Sequence, residues 1–141
     1  MSGVNKVERK KAFIINTASY ERVSFALSMA ATLAALGDEV HVFFSYGGIL
    51  RLRKGHEDDI GEETAEYVRK DLLERQRKGD LLRISETIRL LRSLGGKIYA
   101  CPTAMALHNL TRSDLIDDID EICGVATFLA QNAKDAIIIY V

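Results

Sequence analysis

The stretch GGKIYACPTAMALHNL, residues 95–110, runs from a glycine turn through a short apolar segment into a proline-led helical pattern. Lys97 to Cys101 is compact, β-branched and aromatic, which suits a strand buried on both faces. Pro102 follows at once. Proline is favoured at the first helical position, where its missing N–H costs nothing and its φ is already helical. The stretch therefore reads as a strand, Cys101 as N-cap, and a helix.

The same alternation extends in both directions. KAFIINT (11–17), EVHVFFS (39–45) and DAIIIYV (135–141) are further apolar runs, and IDEIC (119–123) is a weaker one. Helical patterns lie between them. Tyr20 to Leu36 follows Ser19 as N-cap and stops at Gly37. Leu81, Ile84, Ile88, Leu91 and Leu94 mark one face of another helix, closed by Gly95-Gly96. The order β-α-β-α-β-α-β-α-β is that of an α/β fold with a parallel sheet. No repeat or linker interrupts it, so residues 1–141 are expected to form a single domain. Residues 1–10 are expected to be flexible. Residues 54–80 are expected to form a charged helical insertion, with Glu66/Lys70 and Asp71/Arg75 at i,i+4 spacing.

Composition narrows the function classes. At 141 residues, 48% apolar and 28% charged, the chain has the profile of one globular domain. Nineteen basic against twenty acidic side chains leave a net charge of −1, which argues against nucleic acid as a partner. The apolar run after the basic N-terminus stops at Asn16, too early for a signal peptide. The longest uncharged stretch, Val23 to Gly37, falls short of the roughly 18–20 residues of a membrane span. Two cysteines without a CxxC make no disulfide framework, so a cytoplasmic location with free thiols is expected. Helix Tyr20–Leu36 shows no evident polar face, so a homo-oligomer is expected, with Phe25, Met29, Leu33 or Leu36 at its interface.

In a parallel sheet, chemistry collects at the carboxyl ends of the strands. The first end, NTASYERVS, carries no glycine fingerprint, and no P-loop occurs anywhere. The second holds Gly47 and Gly48, which would either let the backbone approach a ligand or simply make a tight turn. The third holds Cys101. Amides of Thr103 or Ala104 and the positive end of the helix dipole would favour its thiolate; the alternative is a buried, inert thiol. His108 lies about 10 Å further along the helix axis, out of hydrogen-bond reach. His41 is expected to pack within its strand, and His56 to be exposed. Acyl transfer is thereby disfavoured, and the scattered histidines and cysteines make a poor metal site. Cys123 ends the weak fourth strand. If that strand neighbours the third, about 4.8 Å away, the two thiols are close; burial as a small hydrophobe is the plainer reading.

IYACPTAMALHNL and DLIDDIDEICGVATFLAQNAKDAIIIYV together resemble the DsrE/DsrF-like proteins, from about Lys11 to Val141. The resemblance implies a three-layer α/β/α domain with a five-stranded parallel sheet, assembled as an oligomer. It also implies that the cysteine at position 101 carries sulfane sulfur as a persulfide, received from a donor and passed to an acceptor, with no metal or cofactor. Cys123 stands where a small, unreactive residue is commoner, and is assigned at most an accessory role. A non-catalytic oligomeric module that binds a small ligand at the strand ends is the alternative. A redox protein using a Cys101–Cys123 disulfide is a third reading.

Overall fold

The computed structural model describes residues 9–141. Five strands, β1 (Lys10–Ile15), β2 (Glu39–Phe44), β3 (Lys97–Ala100), β4 (Glu121–Ile122) and β5 (Ile137–Tyr140), form one sheet. All pairings are parallel and the order is β4-β3-β2-β1-β5. The helices are α1 (Tyr20–Ala35), α2 (Glu66–Lys78), α3 (Ile84–Ser93), α4 (Pro102–Leu107) and α5 (Val125–Thr127). A π-helical turn, Phe128–Asn132, continues α5, and a 3-10 segment, Tyr46–Leu52, follows β2.

Register decides which residues face which layer. Phe13, Val42 and Ile98 pair across the sheet and point to one side, while Ile14, Phe43 and Tyr99 pair and point to the other. Three successive steps, β1 to β4, move one way across the sheet, and the return from β4 to β5 runs the opposite way. Right-handed crossovers then put α1 and α3 on the first face and the α5 turn on the second. Alanine-rich α1 lies close to the sheet, with Val23, Ala26, Leu27 and Ala30 buried, and it packs beside α3. On the second face Phe128 stacks on Phe43 at 4.8 Å and meets Tyr99 edge-on at 5.2 Å. Three layers result.

Several boundaries differ from the sequence reading. Lys10, expected to be flexible, already pairs with Glu39 in β1; the rest of that expectation, residues 1–8, lies outside the described residues. The insertion is helical only over α2, which buries no residue. The segment before it is held instead by Arg51, which is 2% exposed. Its guanidinium donates to the carbonyls of Ala18, Glu57 and Asp59, lies 3.4 Å from the Glu63 carboxylate, and sits 5.2 Å from the centre of the Tyr20 ring. Asp58 then accepts from the amide and hydroxyl of Ser85 and so caps the first turn of α3. These polar contacts anchor the insertion beside the few apolar side chains, Ile60 and Leu72, that it packs against the core.

Helix α1 also differs from the expectation that it lacks a polar face. One face is packed inside the subunit, and the outward residues include charged Glu21 and Arg22 beside Phe25, which is 68% exposed. Leu36, just past its end, is 72% exposed.

Candidate functional site

The connections leaving β3 and β4 turn to opposite faces of the sheet, which opens a crevice between their carboxyl ends. Cys101 and Cys123 are the first residues beyond those two strands. Tyr99 pairs with Glu121 and Ala100 with Ile122, so the thiol-bearing residues continue the same register. The Cys123 amide donates to Ala100 O at 3.1 Å, and the Cys101 amide to Phe44 O at 3.1 Å. Each cysteine backbone is therefore pinned to a neighbouring strand while its side chain faces the second layer.

Beside Cys101 lies a cavity of about 260 Å³. Phe43, Ala104, Leu107 and Val125 give it apolar walls, and Ser45, Tyr46 and Thr103 supply the polar groups. Cys101 is 8% exposed and Cys123 7%. Tyr46, a cavity-lining residue that is 61% exposed, holds a left-handed φ of 42°, a conformation uncommon outside glycine. Strained backbone of this kind collects where a side chain must be held at a working site.

Cys101 occupies the N-cap of α4, with extended φ and ψ and Pro102 as the first helical residue. The expected hydrogen bonds from the Thr103 and Ala104 amides to its sulfur are not formed. Helix α4 is six residues long, so only a short peptide dipole faces the thiol. What the position does supply is a fixed backbone and a cavity beside the sulfur. At Cys123, burial pushes the thiol's pKa up, and the negative charges of Glu121 and of ionised Cys101 push it further. The two sulfurs thus feel one another.

The other singled-out residues fall as follows. Thr103 and Ala104 line the cavity with Cys101, whereas Gly47 and Gly48 do not. A Cβ on Gly48 would lie 2.3 Å from the carbonyl oxygen of Ile15, so this glycine serves close approach of the chain to itself. His41 is buried in its strand, 2.6 Å from the Tyr99 hydroxyl and 2.6 Å from the Glu39 carboxylate. His56 is exposed beside Asp59. His108 is the C-cap of α4. Among the described residues no three His, Cys, Asp or Glu side chains gather as a metal site, and no helix is long and apolar enough to cross a membrane. Sequence reading missed Phe43, Ser45, Tyr46, Leu107 and Val125, which converge from separate segments. The one available signal was their nearness to strand ends.

Solved structures share the fold, two of them as follows. The ychN protein from E. coli superposes with a TM-score of 0.68 at 18% identity, over 94% of this chain and 99% of that one. The protein of unknown function MTH1491 from Methanobacterium thermoautotrophicum gives 0.64 at 18% identity, over 95% and 100%. No curated protein matches. The profile of the DsrE/DsrF-like family matches residues 9–139. A profile match over nearly the whole chain, on an all-parallel five-stranded sheet, makes this protein a member of the DsrE/DsrF-like family.

Proposed function

We propose that the protein is a cytoplasmic sulfur carrier, or sulfurtransferase, that holds sulfane sulfur as a persulfide on Cys101 and works as a homo-oligomer between a donor and an acceptor protein. The observation that carries the reading is the placement of Cys101 against a small apolar cavity at the carboxyl ends of β2 and β3, closed by Val125. In the loading step the Cys101 thiolate attacks the terminal sulfur of a donor persulfide, R–S–SH. A bond forms between Cys101 Sγ and that sulfur, the donor's S–S bond breaks, and R–S⁻ leaves. Delivery repeats the exchange with an acceptor thiolate, which takes the outer sulfur and restores Cys101–S⁻. Neither step changes the overall oxidation level.

The cavity's size favours this over the ligand-binding module. Sites for organic ligands usually span about 300–1,000 Å³, and this one, at about 260 Å³, lies below that range. It has room for one sulfur atom and the tip of a donor thiol. Apolar walls keep water from the persulfide, which slows its loss by side reactions.

Intact mass spectrometry after incubation with glutathione persulfide tests the reading. Wild type and Cys123→Ala are expected to gain one sulfur atom, and Cys101→Ala none. Iodoacetamide should label Cys101 before Cys123 in the folded protein, since burial and neighbouring negative charge keep the Cys123 thiol protonated. If Cys101 stays unlabelled to about pH 9 with the fold intact, alone and with candidate partners, the carrier reading falls and the ligand-binding module takes its place.

A further inference from the structure

Carriage on Cys101 leaves the second thiol unexplained. Cys123 continues the β3–β4 register directly beside Cys101, on the same face of the sheet. Neighbouring strands lie about 4.8 Å apart, inside the 4.4–6.8 Å range of Cα separations that a disulfide spans. Both residues stand just past the last paired residues of their strands, and the amide bonds from Cys101 to Phe44 O and from Cys123 to Ala100 O hold their backbones side by side. Each is nearly buried, so a bond between them competes with little solvent. Ionised Cys101 raises the pKa of Cys123, a second sign that the sulfurs are within interaction distance.

We infer that Cys123 is a resolving thiol, which discharges the Cys101 persulfide as sulfide when no acceptor arrives. The inference rests on the carrier reading of Cys101. In this step the Cys123 thiol gives up its proton and the thiolate attacks Cys101 Sγ, the inner sulfur of Cys101–S–SH. A Cys101–Cys123 disulfide forms, the Cys101–sulfane bond breaks, and HS⁻ departs and takes up the released proton. The sulfane sulfur is reduced to sulfide, and the two cysteine sulfurs are oxidised to the disulfide. A thiol reductant in solution reopens the disulfide and restores both thiols. Burial and the Glu121 charge keep Cys123 mostly protonated, so discharge is slow and delivery to a docked acceptor comes first.

The experiment loads wild type and Cys123→Ala with glutathione persulfide without oxygen, removes the donor, and follows intact mass and free sulfide. Wild type is expected to lose its added sulfur, to release one sulfide per chain, and to end two hydrogens lighter than the dithiol form. Peptide mapping should join Cys101 to Cys123. The variant is expected to hold its sulfur at least about tenfold longer and release little sulfide. Equal persistence in both proteins, with no joined peptide in wild type, overturns the discharge step and leaves carriage on Cys101 standing. No gain of sulfur by either protein overturns both. The peptide map is made on wild type, so it does not depend on the variant's folding; Cys123→Ser provides a second, near-isosteric comparison.

Discussion

Gly47 and Gly48 are adjacent, yet alanine at the two positions should act in opposite directions. Neither has a positive φ, so conformational strain does not separate them. Space does. A Cβ on Gly48 would meet the Ile15 carbonyl oxygen at 2.3 Å and its carbonyl carbon at 3.1 Å. Non-bonded heavy atoms settle at about 3.5 Å, so the segment must retreat by about 1 Å. The same Ile15 oxygen accepts the Ser45 amide at 3.0 Å, and the retreat strains that bond. Overpacking costs about 1–3 kcal/mol and a weakened hydrogen bond up to about 1 kcal/mol. Restricting the unfolded chain returns about 0.4–1 kcal/mol. The net expectation is a loss of about 2 kcal/mol, or about 6 °C in Tm for a chain of this size. A Cβ on Gly47 would find Ala18 N at 3.4 Å, an ordinary contact, so Gly47→Ala keeps or slightly raises stability. Urea unfolding of both variants measures the difference, with unchanged m-values confirming a common transition. Because Ser45 and Tyr46 wall the cavity, Gly48→Ala should also slow sulfur loading on Cys101. Equal losses at both glycines, or a Gly48→Ala protein within about 0.5 kcal/mol of wild type, would refute the reasoning.

Alkaline stability offers another check. Burial, aided by the charge of Asp58, pushes the Tyr20 pKa up to about 12 from its ordinary value of 10.0, and Tyr99 is shifted the same way. The unfolded phenol ionises first, so this contribution is complete below about pH 10 and is lost as pH rises towards 12. Tyr20→Phe should flatten that part of the urea-midpoint profile, at the cost of the hydrogen bond that its hydroxyl donates to Leu82 O at 2.6 Å. For the proposed homo-oligomer, Phe25→Glu on the outer face of α1 is expected to reduce the mass seen by light scattering while the circular dichroism stays unchanged. An unchanged mass would place the contact elsewhere.

The central strands were legible because burial on both faces leaves nearly unbroken apolar runs, as in Phe13–Ile15 and Val42–Phe44. The edge was less so. Only Glu121 and Ile122 pair in β4, both exposed, and so short a segment leaves almost no pattern. Cys101 was legible as a strand-end N-cap because Pro102 marks the helix start. Its missing cap bonds were not legible, since they depend on where the sulfur points. Arg51 gave no signal: within RLRKG it reads as one more solvated charge, and its burial follows from three carbonyls, one of Ala18 and two of Glu57 and Asp59 in the turns that follow it. The π-helical turn after α5 was equally hidden. Ala133 donates to Phe128 O at 2.8 Å, a wider ring that accompanies the stacking of the Phe128 side chain on Phe43. The cavity walls, from Phe43 to Val125, are a product of sheet order rather than of any local motif.

The brevity of β4 has a kinetic consequence. Two register pairs hold this strand to β3, reinforced where Asp120 accepts the Ile98 amide at 2.8 Å and is itself clasped by Arg92 at 2.9 Å. An edge secured by so few bonds opens at far less free energy than the whole domain. Amide hydrogens of Asp120 and Cys123 should therefore exchange orders of magnitude faster than those of Val42 or Phe43 in the centre. Each such opening swings Cys123 away from its partner strand. The fraction of time the edge stays closed then sets how often the two sulfurs meet, and a substitution at Arg92 would change that frequency without touching either thiol.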